Sequence, residues 1–153
     1  MITTQFTPPQ AALVAIDIAK NRHEVLIDPG AGMRRRRLSV LNNRAEHDRL
    51  VATLRDLGRP VIVGFEPTGN YHRVLAHRLI SAGFETRLIS SMALARTREA
   101  LHNGWDKNDP KDAQVILHML RIGATTVYSD PGYGRLNDLQ ELSKTHDMVS
   151  RAK

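Results

Sequence analysis

Residues 11–18, Ala11-Ala12-Leu13-Val14-Ala15-Ile16-Asp17-Ile18, set a single carboxylate inside an otherwise apolar run. A short continuous apolar run predicts a strand buried on both faces. An ionised carboxylate in such a strand is costly unless a cation or a hydrogen-bonding partner meets it, so Asp17 is the first candidate for function. A second run, Pro60-Val61-Ile62-Val63-Gly64-Phe65-Glu66, has the same character and carries its charge at the carboxyl end. Open α/β sheets collect their ligands at that end.

The other elements follow outward from these two. Glu24-Val25-Leu26-Ile27-Asp28 predicts a strand joined to the first by a tight link at Lys20-Asn21-Arg22, which makes a hairpin. Asp28-Pro29-Gly30-Ala31-Gly32 is a turn cluster, and Arg36-Arg37-Leu38-Ser39-Val40 continues the meander. Asn42 or Asn43 caps a helix with the apolar face Leu50, Val51, Leu54 and Leu57, ended by Gly58. A helix over 70–82 closed by Gly83, a strand over 84–89, a helix from Ser91 to about Leu101 and a helix from Pro110 to Arg121 complete the domain. The expected architecture is α/β: a mixed sheet with an initial antiparallel hairpin, its first strand central and the Glu66 strand beside it. From Gly134 onward, Leu139, Leu142, His146 and Val149 follow the spacing of a coiled-coil seam. The expected organisation is a flexible 1–10, one domain over 11–125, and a helical connector over 126–153.

At 153 residues the chain suits one core and is too short for two full domains. Lys and Arg number 22 against 16 Asp and Glu, a formal charge of +6 that favours polyanionic partners such as nucleic acid. With no Cys, disulfide frameworks and thiolate metal sites are excluded, which fits a reducing cytoplasm. No secretory signal and no apolar run of membrane-spanning length is present, so a membrane location is not expected. The 7 His residues form no metal-ligand spacing and are read as surface or packing residues.

Asp109 and Asp112, three apart at a helix start, share one face and could close a cluster above Asp17 and Glu66. Four carboxylates suit hard cations such as Mg²⁺ or Mn²⁺, and two such ions about 4 Å apart serve in-line phosphoryl displacement. Plainer readings stand beside this one. Asp109-Pro110-Lys111-Asp112 is also an ordinary helix N-terminus, and Glu66 an ordinary loop residue. Thr68, Gly69 and Asn70 could offer backbone N–H groups to a phosphate or merely make a turn. Arg34, Arg35, Arg36 and Arg37 could grip a nucleic-acid backbone or form a solvated strand edge, because alternation sends neighbours to opposite faces. Trp105 and Tyr71 could stack on bases or anchor packing.

Three segments resemble the DEDD transposases of bacterial insertion sequences, relatives of the pilin-gene-inverting recombinase whose N-terminal part is similar to RuvC-type Holliday-junction resolvases. They are Ala15-Ile16-Asp17-Ile18-Ala19-Lys20, Phe65-Glu66-Pro67-Thr68-Gly69-Asn70-Tyr71 and Lys107-Asn108-Asp109-Pro110-Lys111-Asp112-Ala113. The resemblance implies a ribonuclease-H-like fold, with Asp17, Glu66, Asp109 and Asp112 as a catalytic tetrad holding two Mg²⁺ or Mn²⁺ ions. Lys20, Thr68 and Lys107 match the same motifs, and Arg34–Arg37, Asn70 and these three are the expected nucleic-acid contacts. It further implies DNA recombination by a dimer or tetramer joined through the C-terminal helix, a structured bridge RNA as guide, and a Ser nucleophile in a C-terminal domain expected to lie outside this chain. Two alternatives are a junction nuclease using metal-activated water and a non-enzymatic nucleic-acid-binding module.

Overall fold

The computed structural model describes residues 7–30, 32–101 and 111–128. The expected connector helix lies outside them. The elements are β1 (Ala12–Asp17), β2 (Arg22–Asp28), β3 (Arg36–Leu41), α1 (Arg44–Arg55), β4 (Val61–Phe65), α2 (Arg73–Ser81), β5 (Glu85–Leu88), α3 (Ser91–Leu101), α4 (Lys111–Ile122) and β6 (Thr126–Val127). One sheet has the order β3-β2-β1-β4-β5-β6. β1, β2 and β3 pair antiparallel, β1, β4 and β5 pair parallel, and β6 returns antiparallel on β5. This is the ribonuclease-H-like arrangement expected from the sequence, with β1 central and β4 at its side.

Strand alternation divides the interior into two layers. Val14, Ile16, Val25, Ile27, Val63 and Phe65 face α1 and α2, where Leu50, Leu54, Leu75 and Leu79 are fully buried. Leu13, Ala15, Leu26 and Ile62 face α3 and α4 and meet Leu94, Ile116, Leu117 and Leu120. The continuous apolar runs of β1 and β4 arise from this double coverage.

Two differences from expectation concern the ends of elements. Arg22 belongs to β2, opposite Leu41, so the hairpin link is the four residues 18–21. α2 begins at Arg73 rather than at residue 70, because the Tyr71 and Arg73 N–H groups donate to the Thr68 and Asn70 carbonyls in successive turns. Beyond the sequence reading, β6 extends the sheet edge past residue 125, and Thr7 ties the N-terminal segment down. Its hydroxyl donates to the Leu120 carbonyl at 2.7 Å and accepts from Arg87 Nη1 at 2.9 Å.

α4 lies closest to the sheet. It packs on β1, β2 and β4, and a Cβ placed on Gly64 would stand 2.7–3.0 Å from the Leu120 side chain. Only a residue without a side chain lets the helix sit at that depth. Leu120 is itself fully buried and has no room to withdraw. Gly64→Ala is expected to cost about 1–3 kcal/mol of unfolding free energy by overpacking, measured by urea denaturation, whereas a neutral outcome contradicts this account of α4.

Candidate nucleic-acid-processing site

Asp17 closes β1 and Glu66 follows the last residue of β4. The parallel register pairs Ile16 with Phe65, so Asp17 and Glu66 leave neighbouring strands at the same level. Ile16 and Phe65 face α1 and α2, hence the next residue on each strand turns toward α3 and α4. Asp112 lies in the first turn of α4. That helix runs antiparallel to β1: its far end reaches Asp28 at the opposite rim, where Arg121 donates to the carboxylate. Its near end therefore stands above Asp17.

Electrostatics report the same convergence. The Asp17 carboxyl is half-buried and pushed up from an ordinary 3.8 to about 6. Burial is the largest cause, followed by the negative charges of Asp112, Glu24 and Glu66, while the Arg98 guanidinium opposes them. Like charges that approach a partly desolvated carboxylate raise its proton affinity in this way.

Glu24 and Arg98 are members that sequence reading missed. Glu24 sits directly across the hairpin from Asp17, on the same face. Counting the antiparallel register through the link would have found it. The Ser39 hydroxyl, from β3, donates to its two carboxylate oxygens at 3.0 Å each. Arg98, on α3, donates to Asp112 Oδ1 from Nε at 3.1 Å and from Nη2 at 2.6 Å. No local pattern in the sequence marks that pair, which exists only because α3 packs on α4.

Among the described residues, no three His, Asp or Glu side chains form a group that could hold a metal ion. Asp109 and Lys107 fall outside the described residues. Lys20 is exposed in the hairpin link, and Thr68 and Asn70 are exposed in the loop after Glu66, so these three border the rim. The arginine run is divided. Arg37, opposite Leu26, shares the acidic face and a shallow groove with Glu24 and Ser39. Arg36, opposite Ile27, projects from the other face. Both stand two to three residues along β2 from Glu24, about 7–10 Å. Arg34 and Arg35 precede the strand toward the far rim, where Arg35 Nε lies 4.0 Å from Asp28. The structure thus does not gather all four arginines at the carboxylates.

A clamp beneath the rim joins the link after Asp17 to the loop after Glu66. Asn42 donates to the Lys20 carbonyl at 3.0 Å, in the link after Asp17, and to the Tyr71 carbonyl at 3.4 Å, in the loop after Glu66. Its Oδ1 accepts from His47 Nε2 at 3.0 Å. The Ala19 N–H donates to His23 Nδ1 at 3.1 Å. His23 and His47 are buried and their rings stack at 6.2 Å. Burial pushes both imidazoles below their usual pKa, which keeps them neutral. Of the adjacent asparagines, Asn43 caps α1 by accepting from the Glu46 N–H at 2.9 Å, which frees Asn42 for this work.

A family profile described as a transposase, the DEDD transposase of insertion sequence 110, matches residues 14–152. The chain belongs to that family. None of the curated proteins matches it. Among solved structures, Thermus thermophilus RuvC is similar over 76% of this chain and 99% of its own, with 12% identity and a TM-score of 0.48. The same protein in complex with a Holliday-junction substrate covers 77% of this chain and 99% of its own, with 14% identity and a TM-score of 0.47.

Two outcomes are expected. Because the folded pKa of Asp17 lies above its ordinary value, the native state binds that proton more tightly than the unfolded chain does. Its ionisation therefore removes stability as pH rises from about 4 through about 6. Asp17→Asn should raise the melting temperature of metal-free protein at pH 7.5, the gain shrinking as pH falls through that window; a gain independent of pH contradicts the charge argument. Asn42→Ala strands two carbonyls and the His47 N–H, and should lower unfolding free energy by about 1–3 kcal/mol in urea titrations.

Proposed function

We propose that this domain catalyses metal-assisted phosphoryl transfer on DNA during transposition, with Asp17, Glu66, Asp109 and Asp112 as ligands of Mg²⁺ or Mn²⁺, two ions in the full site. The observation that supports this reading is that the charges of Asp112 and Glu66 reach the half-buried Asp17 carboxyl at the carboxyl rim of β1 and β4, where burial first and repulsion from these charges second push its pKa up to about 6. A divalent cation would relieve that repulsion, and four hard oxygen donors are the set such ions prefer. When bound, the ions supply charge stabilisation to the attacking and leaving oxygens of the transferred phosphate.

The chain's own residues supply the rest. Asp17, half-buried, holds a proton near pH 6 in the metal-free protein and would yield it to a cation competing for the carboxylate. Lys20, Thr68 and Asn70 border the same rim from exposed loops, placed to meet a phosphate backbone, and Arg37 and Lys107 are the further candidates for that contact. The Asn42 clamp ties the link after Asp17 to the loop after Glu66, which supports a rim ordered before any ligand binds.

Family membership extends the proposal to DNA as substrate, a structured guide RNA as partner, assembly into a dimer or tetramer, a separate Ser nucleophile domain, and cytoplasmic action. No helix among the described residues is long and apolar enough to cross a membrane. The expected division of the chain, a flexible 1–10 and a connector over 126–153, enters the proposal with its bounds moved, because Thr7 is tied to the domain by hydrogen bonds and Thr126–Val127 form β6.

A second reading, a nucleic-acid-binding module without catalysis, draws on one observation: Arg98 already neutralises Asp112. Isothermal titration with Mn²⁺ separates the two. The catalytic reading expects binding by the wild-type chain that is lost in Asp17→Asn and Asp112→Asn, together with Mg²⁺-dependent nicking of branched DNA by the assembled recombinase. Metal binding that survives Asp17→Asn rejects it, and DNA binding that is indifferent to metal with no cleavage supports the module.

A further inference from the structure

We infer that His23 is a proton-operated latch at the rim of the sheet: its neutral imidazole holds the link that follows Asp17, and a proton taken up at Nδ1 releases that link. The latch is built from described residues alone and stands whether or not the acids take up a metal.

A ring nitrogen accepts an N–H only when it carries no proton, so the 3.1 Å bond from the Ala19 N–H to His23 Nδ1 fixes this ring as the Nε2–H tautomer. A proton at Nδ1 would set donor against donor. His23 has no exposed surface, and among the described residues its Nε2 has no partner at hydrogen-bond distance. An imidazolium there would be a buried charge with nothing to receive its protons. Burial accordingly lowers the His23 pKa from an ordinary 6.5, and the Asn42 side chain opposes this only in part. The ring gains a proton readily only once it has let go of the link and reached water.

The surroundings offer no compensating charge. His47 stacks on His23 at 6.2 Å and would add repulsion if it were protonated too. Of the carboxylates near the pair, Asp48 of α1 is held by Arg78 of α2 at 2.7 Å and Glu46 of α1 by Arg49 at 2.9 Å. β3 sets apolar Val40 opposite His23, Glu24 turns to the other face of β2, and the exposed Lys20 and Arg22 are both positive. His47 itself is not the trigger, because its Nε2–H donates to Asn42 Oδ1 and a protonated ring would keep that bond. The link has two further ties, from the Asn42 side chain to the Lys20 carbonyl and from the Asn42 N–H to the Asn21 carbonyl at 2.8 Å. The same side chain reaches the Tyr71 carbonyl, so freeing the link loosens its join to the loop after Glu66.

The closed form binds this proton less tightly than the open form does. Opening therefore becomes easier as pH falls below about 6.5, by about tenfold per pH unit for one proton taken up. Asp17 affects stability with the opposite sign in part of this range, so a readout at the link itself is needed. The test is NMR on the full chain from about pH 7.5 to about pH 5, following the His23 ring nitrogens and the protection of the Ala19 N–H against hydrogen exchange, corrected for the intrinsic rate. His23→Asn places an oxygen acceptor where Nδ1 stood and cannot titrate, whereas His47→Gln keeps a donor at the position of Nε2.

The wild-type chain should show the Nε2–H tautomer at neutral pH and a loss of Ala19 protection of about tenfold per pH unit below about 6.5. That slope should persist in Asp17→Asn and His47→Gln and vanish in His23→Asn. A proton on Nδ1 at neutral pH, Ala19 protection that does not change with pH, or a slope retained by His23→Asn overturns the latch. Should His23→Asn fail to fold, the tautomer and slope of the wild-type chain decide the matter. None of these readings involves a cation, so failure of the latch leaves the carboxylate proposal standing, and absence of Mn²⁺ binding leaves the latch standing.

Discussion

The depth at which α4 sits on the sheet governs the rest of the site. Gly64 offers bare backbone where any other residue would drive a side chain into Leu120, and the helix settles across β1, β2 and β4 at that point. Ion pairs then hold its two ends, Arg121 on Asp28 at one rim and Arg98 on Asp112 at the other. The apolar contacts supply most of the driving force, as burial generally does, and the exposed ion pairs chiefly fix alignment. A carboxylate at the first turn of a helix lowered in this way comes within electrostatic reach of the Asp17 carboxylate that ends β1.

Bringing four acids toward one rim works against folding. Asp17 registers burial first and this penalty second through its raised proton affinity, while Ser39 on Glu24 and Arg98 on Asp112 offset the repulsion locally. Such strain between like charges is a common mark of a site that awaits a cation or a cationic partner. It accords with membership of a transposase family, whose substrate is itself a polyanion, and with a chain that carries a net charge of +6. The basic residues lie around the acids instead of among them, with Arg98 the exception.

The strands were legible because burial on both faces leaves a continuous apolar signature, and Asp17 and Glu66 stood out as charges set against it. Helix α1 was equally readable from its Asn cap, its apolar spacing and Gly58, which adopts a φ of 66°. The start of α2 was misplaced because Thr68, Asn70 and Tyr71 form turns whose hydrogen bonds imitate helix initiation locally. β6 escaped notice since two residues carry no periodicity, and its pairing with Arg87 and Leu88 is a tertiary event. For the arginine run the sequence left a backbone grip and a solvated edge both open, and β3 sends Arg36 and Arg37 to opposite faces as strand alternation requires.

Composition, hydrophobic period and turn chemistry, all local properties, determined by themselves that this is an α/β domain with β1 at its centre and an acid at the end of each of two parallel strands. Which charges confront one another was settled only by tertiary structure: Glu24 by hairpin register, Asp112 by the seat of α4, Arg98 by the packing of α3 on α4. The physical reason is range. Backbone propensity acts over a few residues, whereas the field at the Asp17 carboxyl comes from side chains that are neighbours in space and distant along the chain.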